Sequence, residues 1–212
     1  MRRIKSLRPE EDAFGQEIWS HYKGMVCVFE ITERDDGYVN ARSPKIYFSE
    51  YEDWSSVEKD AMKFVKGRVL DVGCGAGRHS LYLQKNGFDV VGIDSSPLAI
   101  EVCKRRGLKK AKVISIEDVR FKPNSFDTII LMGSNFSLFG SFKKARRLLK
   151  KFQKITSKNA AIIANTRDPY KTDDPVHLDY HKFNKEKGRM GGQARIRIRF
   201  GKYATKWLDY LM

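Results

Sequence analysis

The chain has no long apolar run. Pieces such as Thr128 to Met132 are the longest, far short of the roughly eighteen residues that a spanning helix needs, so a transmembrane segment is not expected. Arg2 and Arg3 make the amino end basic, but no apolar stretch follows them and a secretory signal is not expected either. Cysteine is scarce. Cys27, Cys74 and Cys103 are odd in number and lack C-x-x-C spacing, which argues against a disulfide framework and against structural zinc. Internal repeats and low-complexity tracts are also absent, and residence in the cytoplasm is the expectation.

What remains is globular in kind. At 212 residues, with 41% hydrophobic and 12% aromatic residues, the chain can bury a core and is not a disordered tail. Lys and Arg number 41 against 26 Asp and Glu, a formal charge of +15. Such a charge attracts polyanions or acidic substrates, although a thermophile's Lys-, Arg- and Glu-rich surface gives a similar count.

One stretch organises the rest. Val69, Leu70 and Val72 read as a strand covered on both faces, and Gly73, Gly75 and Gly77 then alternate through a turn before a helix that begins near Ala76. Glycine lets backbone approach a ligand closely, and the helix start aims free N–H groups at it. A second strand, Asp89 to Ile93, ends in Asp94, where a carboxylate can accept from both hydroxyls of a ribose. The pair points to an adenosine-containing cofactor. Arg78 stands where G-x-G-x-x-G would need its third glycine, which disfavours a dinucleotide.

The segments VLDVGCGAGRHS, VVGIDSSPLAIEVCKRRG and FDTIILMGSNFSLF resemble successive motifs of class I S-adenosylmethionine-dependent methyltransferases, over about residues 67 to 165. The leader EITERDDGYV with IYFSEYEDW resembles those of one prokaryotic branch of that family. The resemblance implies S-adenosylmethionine as cofactor, with Asp71, Gly73 and Gly75 beside its methionine half and Cys74 contributing backbone. It further implies Asp94 on the ribose, Ser95 against the adenine, Ile116, Glu117 and Asp118 at the adenine edge, and Met132 and Gly133 on the opposite wall. Many members have an aspartate directly after the third strand. Here Ser115 or Ile116 stands there, which shifts adenine recognition to Glu117 or Asp118.

The implied fold is α/β: a three-layer sandwich with a mostly parallel seven-stranded sheet ending in an antiparallel hairpin. A leader or lid over residues 1–66 precedes a cofactor domain over 67–212 that carries an insertion at 167–193. Phe14, Ile18, Tyr22 and Met25 stripe a helix within 9–25, Met25 to Ile31 reads as a strand, and Asp36-Gly37 as a hairpin turn toward Tyr38-Val39. The aromatics Tyr47, Phe48, Tyr51 and Trp54 either pack the leader onto the core or close over the cofactor. Ser55 and Glu58 form a capping box. A long helix traced by Phe142, Ala145, Leu148, Leu149, Phe152 and Ile155 carries lysines and arginines on its other face. Residues 167–187 read as a polar loop, Ala194 to Phe200 as a half-exposed strand, and Ala204 to Leu211 as its partner, the two completing the main sheet.

His177, Asp179 and His181 would face one way on an extended segment and could hold a metal. A solvated loop is the preferred reading, and no metal is assigned. Methyl transfer from a sulfonium is an in-line displacement that rests on positioning, with a base needed only if the acceptor holds its proton at neutral pH. His79, His177 and His181 are the candidates, and no catalytic residue is assigned. Met132-Gly133-Ser134-Asn135-Phe136 departs from the Asn/Asp-Pro-Pro-Phe/Tyr pattern of base-amino methylation, so a small-molecule acceptor comes first. RNA or protein methylation comes second, on the basic helix and Arg195, Arg197 and Arg199. A non-catalytic nucleic-acid-binding module is the third reading.

Overall fold

The computed structural model describes residues 7–212; Arg2 and Arg3 lie outside the described residues. The first helix, α1 (Ala13–Tyr22), starts where the Asp12 carboxylate accepts from the Gly15 amide at 3.0 Å. Its Ile18 is buried against Ala76, Ala99 and Val102, with Phe14 and Trp19 packed beside it. The apolar stripe is shorter than expected: Met25 lies past the helix and is exposed. Gly24 and Cys27 both take positive φ, which breaks the extended run, so β1 (Glu30–Arg34) begins five residues after Met25. The hairpin forms as expected, with β2 (Val39–Arg42) antiparallel to β1.

The capping box of Ser55 and Glu58 opens α2 (Ser56–Met62). There follow β3 (Arg68–Val72), α3 (Arg78–Lys85), β4 (Asp89–Asp94), α4 (Pro97–Arg105), β5 (Ala111–Val113), β6 (Phe126–Leu131), α5 (Phe142–Ile155) and β7 (Thr156–Ala164). Their strands form one parallel sheet in the order β5-β4-β3-β6-β7. Alternation sorts the two faces. Leu70, Val72, Ile129 and Leu131 meet Leu148, Phe152 and Ile155 of α5, while Val69, Val90 and Ile130 meet Trp54, Met62 and Leu83. Phe142 and Leu149, expected on the buried face of α5, are exposed.

The chain's last strands correct the expected sheet. β8 (Gln193–Phe200), β9 (Tyr203–Ala204) and β10 (Leu208–Leu211) do not extend the parallel sheet to seven strands. They join the leader hairpin in a second, antiparallel sheet of order β10-β8-β1-β2, with β9 against β8. The physical reason lies in the alternation of β8. Ala194, Ile196 and Ile198 are buried while Arg195 and Arg199 are exposed, and one wet face suits an antiparallel sheet better than a doubly covered parallel one. The wet faces also match, since Arg197 and Arg199 lie 2.7 and 3.7 Å from Glu33 of β1.

The expected loop before β8 contains a helix, α6 (Pro175–Glu186). Asp174 caps it by accepting from the Val176 amide at 2.9 Å, and Tyr180 and Asn184 are buried. Helical spacing turns Asp179 away from His177 and His181, so the three do not share a face.

Phe152 joins α5 to the segment after β6 through Phe139, with ring centroids 6.3 Å apart. Phe152→Ala should cost about 3–5 kcal/mol of stability, read as a lower urea midpoint at unchanged slope.

Candidate active site

Two buried carboxylates stand at neighbouring strand ends. Asp94 closes β4, and its Oδ2 accepts from the Gly75 amide at 3.0 Å while Oδ1 accepts from the Ser96 amide at 2.9 Å. Asp71, on β3, accepts from the Ser80 hydroxyl of α3 at 2.7 Å. Between them runs the glycine turn. Gly75 has φ +55° and Gly77, the residue before α3, φ +85°, a region that disfavours side chains. A Cβ at Gly77 would also meet Cys103 Sγ at 2.9 Å.

Burial dominates the electrostatics. It pushes the Asp71 carboxyl up to about 7, against the pull of the Ser80 hydroxyl and with a further push from Asp94. Burial also raises Asp94, although the amides of Ser96 and Gly75 oppose it. Asp12, raised to about 6 by burial, accepts from the Ser96 hydroxyl at 2.9 Å and so clasps the leader to the turn after β4.

The opposite rim comes from the segment after β6. Asn135 donates its amide to the carbonyls of Val72 at 3.0 Å and Gly73 at 2.7 Å. Met132 is buried and Gly133 exposed. After β5, Ser115 Oγ accepts from the Glu117 amide at 3.2 Å and starts a single turn, Ile116–Asp118. Ile116 and Glu117 are half-buried there, and Asp118 is exposed, as is Ser95 after β4. The Glu117 carboxylate turns toward α5, 3.3 Å from Lys144 and 2.5 Å from Arg147. The Cys74 side chain packs away from the turn, 3.8 Å from Cys103 Sγ.

The leader is locked against the start of α3. Glu58 accepts from Arg78, and from His79 at 3.3 Å; Arg78 also donates to Ser49 Oγ at 2.9 Å. Trp54 lies beside both, its ring 5.5 Å from the guanidinium and 4.6 Å from the imidazole. The His79 bond and the Arg78 charge hold Glu58 down at about 2, and burial lowers His79, which is therefore neutral and donates. His177 accepts from Arg34 Nη1 at 3.0 Å, and His181 packs 5.4 Å from Tyr170. The structure gives each of these three histidines a packing partner.

The antiparallel sheet and α1 stand over this edge. Phe14 lies 3.8 Å from where a Gly75 Cβ would be, and the Asp209 carbonyl of β10 lies 2.7 Å from a Gly140 Cβ position.

A family described as "Methyltransferase domain" matches residues 69–159, the span that holds the glycine turn and both carboxylates. A similar solved structure is the SAM-dependent methyltransferase from Bacteroides fragilis in complex with S-adenosyl-L-homocysteine. It has a TM-score of 0.82 and 25% identity, covering 98% of this chain and 83% of that one. Residues 69–159 thus match a methyltransferase-domain family, and the chain shares the fold of this S-adenosylmethionine-dependent methyltransferase. Among curated relatives of this chain, the tRNA (uracil(54)-C(5))-methyltransferase of Pyrococcus horikoshii is 34% identical over 159 residues, 70% of this chain and 39% of that protein. The glycine/sarcosine N-methyltransferase of Parasynechococcus marenigrum is 30% identical over 106 residues, 47% of this chain and 38% of that protein. The chain thus spans about two fifths of the length of the curated relatives it matches.

Three contacts of the candidate site were not read in the sequence. Asn135 carries no local signal, since its partners are carbonyls 62 and 63 residues away. Ser80 is legible only once α3 is set against β3. The Asp12 clasp is hidden behind an ordinary capping position.

Glu58→Ala would leave Arg78 and His79 buried without their carboxylate, at a cost of about 3–5 kcal/mol near neutral pH. Because the folded Glu58 titrates below its unfolded value, its contribution is present above about pH 5 and fades as pH falls toward 2. Thermal melts of wild type and variant should therefore draw together progressively as pH falls from 5 toward 2.

Proposed function

We propose that the chain binds S-adenosylmethionine at the glycine turn and transfers its methyl group to a small-molecule acceptor held under the antiparallel sheet. The observation that carries the reading is the pair Asp71 and Asp94 around a turn that a side chain would obstruct. The donor set fits. Asp94 uses one lone pair of each oxygen on the backbone and keeps capacity for two ribose hydroxyls. Asp71, with the Val72 and Gly73 carbonyls that Asn135 occupies, offers an acceptor cluster for an ammonium group. Gly73, the Cys74 backbone and Gly75 would line the methionine half. Ser95, Ile116 and the backbone at Glu117 and Asp118 would line the adenine, with Met132 and Gly133 opposite.

When bound, this cofactor supplies a methyl carbon on a cationic sulfur whose leaving group is a neutral thioether. The protein's part is orientation: holding an acceptor atom in line at about 3–3.5 Å from that carbon. His79 is bonded to Glu58 and His177 to Arg34, and His181 lies on α6 beside Tyr170, so the reading assigns no base. The leader, residues 7–66, together with 193–211, builds the roof, which supports an enclosed acceptor of modest size. The free thiols of Cys27, Cys74 and Cys103 suit a reducing compartment, the cytoplasm.

A nucleic-acid acceptor is the second reading. It rests on α5, where Lys143, Arg146, Arg147, Lys150, Lys151 and Lys154 line an open depression of about 960 Å³, and on the tRNA-methylating relative. Steeply salt-dependent RNA binding would favour it.

Titration calorimetry with S-adenosylhomocysteine tests the first reading. Asp94→Ala should weaken binding about 10- to 100-fold. At pH 6 Asp71 is still mostly protonated, and an ammonium beside it would expel that proton. The binding heat should then depend on the buffer's ionisation enthalpy, and Asp71→Asn should abolish that dependence. Unchanged affinity in Asp94→Ala would refute the assignment of the ribose site.

A further inference from the structure

β3 pairs with β6 only as far as Asp71. The next two carbonyls, those of Val72 and Gly73, are taken instead by a single side chain, accepting from Asn135 Nδ2 at 3.0 and 2.7 Å. The fit is close. Nδ2 lies 2.6 Å from where a Gly73 Cβ would be, so a glycine at 73 is what leaves room for the carboxamide. With two hydrogens directed onto two acceptors, that amide has no donor left over.

Left-handed backbone brackets the segment that carries Asn135. Gly133, Ser134 and Gly140 have φ of +67°, +66° and +64°, on either side of the short turn of helix Asn135–Phe139. For Ser134, which has a side chain, that conformation is unfavourable and needs outside support. Asn165 Oδ1 accepts from the Ser134 amide at 2.9 Å, and the Ser137 hydroxyl donates to the Ser134 carbonyl at 2.6 Å. On its other side the segment meets the roof. Phe136 and Phe139 share an apolar cluster with Leu211 of β10, and Gln193 Nε2 of β8 donates to the Gly140 carbonyl at 3.4 Å. One carboxamide therefore ties the glycine turn to a segment that also bears on the strands above it.

Two neighbouring carbonyls at the glycine turn suit an ammonium group, and here a neutral N–H donor from the chain itself satisfies them. We propose that the Asn135 carboxamide is an internal stand-in for the cofactor's ammonium: binding of the full cofactor expels it and releases the segment 133–140, so that Asn135 distinguishes ligands that carry an ammonium from those that do not. The proposal rests on the cofactor assignment above.

The exchange runs in the ligand's favour. An ammonium brings three hydrogens and a full positive charge, and charge-assisted bonds are roughly twice as strong as the neutral ones it replaces. Leaving the carbonyls without any donor would be costly, which is why the empty turn needs Asn135. The seated carboxamide also weakens the apparent affinity, since only chains that have released it can take the ammonium. A ligand without the ammonium meets no such competitor and leaves the segment in place.

The test uses the full ¹⁵N-labelled chain and follows the Asn135 side-chain amide resonances, assigned by through-bond correlation. S-adenosylhomocysteine is titrated in, and separately its desamino analogue, which keeps the adenosine, thioether and carboxylate and lacks only the ammonium. S-adenosylhomocysteine should shift the amide pair and speed its exchange with water at least about tenfold; the desamino analogue should leave it in place. By calorimetry Asn135→Ala should bind S-adenosylhomocysteine about 3- to 30-fold more tightly than wild type, with the affinity for the desamino analogue within about twofold. The wild-type amide resonances decide the matter alone if Asn135→Ala proves unstable. An amide pair that S-adenosylhomocysteine leaves unmoved or that both ligands displace equally, weaker or unchanged S-adenosylhomocysteine binding in Asn135→Ala, or equal tightening for both ligands overturns the proposal. Failure of both ligands to bind overturns the cofactor assignment and the role of Asn135 with it; binding of S-adenosylhomocysteine with Asn135 still seated overturns that role alone.

Discussion

The Gly75 amide donates to a carboxylate from the neighbouring strand, and most of the site's geometry follows from that bond. It joins the end of β4 to the turn after β3, and so sets where α3 starts and where its free N–H groups point. The same carboxylate takes the Ser96 amide, which opens α4. One buried side chain therefore orients two helix starts. A charged group with 7% exposure is unfavourable unless bonded, and its bonds are to backbone, the donors least able to move away.

Around this centre the leader is held by polar contacts at two places. Asp12 reaches Ser96 on one side of the turn, and Glu58 holds Arg78 and His79 on the other. These attachments are unlike a purely apolar interface, because a displaced leader would strand Arg78 and His79 without Glu58. The directional bonds give the leader one seat where aromatic packing alone would allow several. Trp54 and Tyr51 supply area against Tyr82, Trp54 edge-on at 5.2 Å between centroids and Tyr51 stacked at 4.5 Å.

The parallel sheet was legible because its strands are short apolar runs closed by glycine and serine caps, signals that act within a few residues. The glycine turn, Asp71 and Asp94 were legible for the same reason. The last sheet was not. Alternation in 194–200 announces a half-wet strand but says nothing of its neighbour, and the neighbour is set by Glu33, more than 160 residues away. Likewise α6 hides because its buried face is only Tyr180 and Asn184, too few apolar positions for a 3.6-residue period to stand out. Glu17 carried no signal at all: on a helix of mixed composition a glutamate reads as surface, and only the packing of α1 on the antiparallel sheet buries it.

Like Asp94, the carboxyl groups of Asp12, Asp71 and Glu17 are pushed upward by burial. Each binds its proton more tightly in the folded state than in the unfolded one, so each erodes stability as pH rises above about 4. Their roles diverge by partner. Asp12 and Glu17 are answered within the chain, by Ser96 and Glu30, and act as fixtures of the leader. Asp71 is answered by Ser80, on a helix that starts at the glycine turn. What sets it apart is its place: a carboxyl group held nearly neutral by burial at a strand end, beside the glycine turn, where a nearby cation would restore its charge.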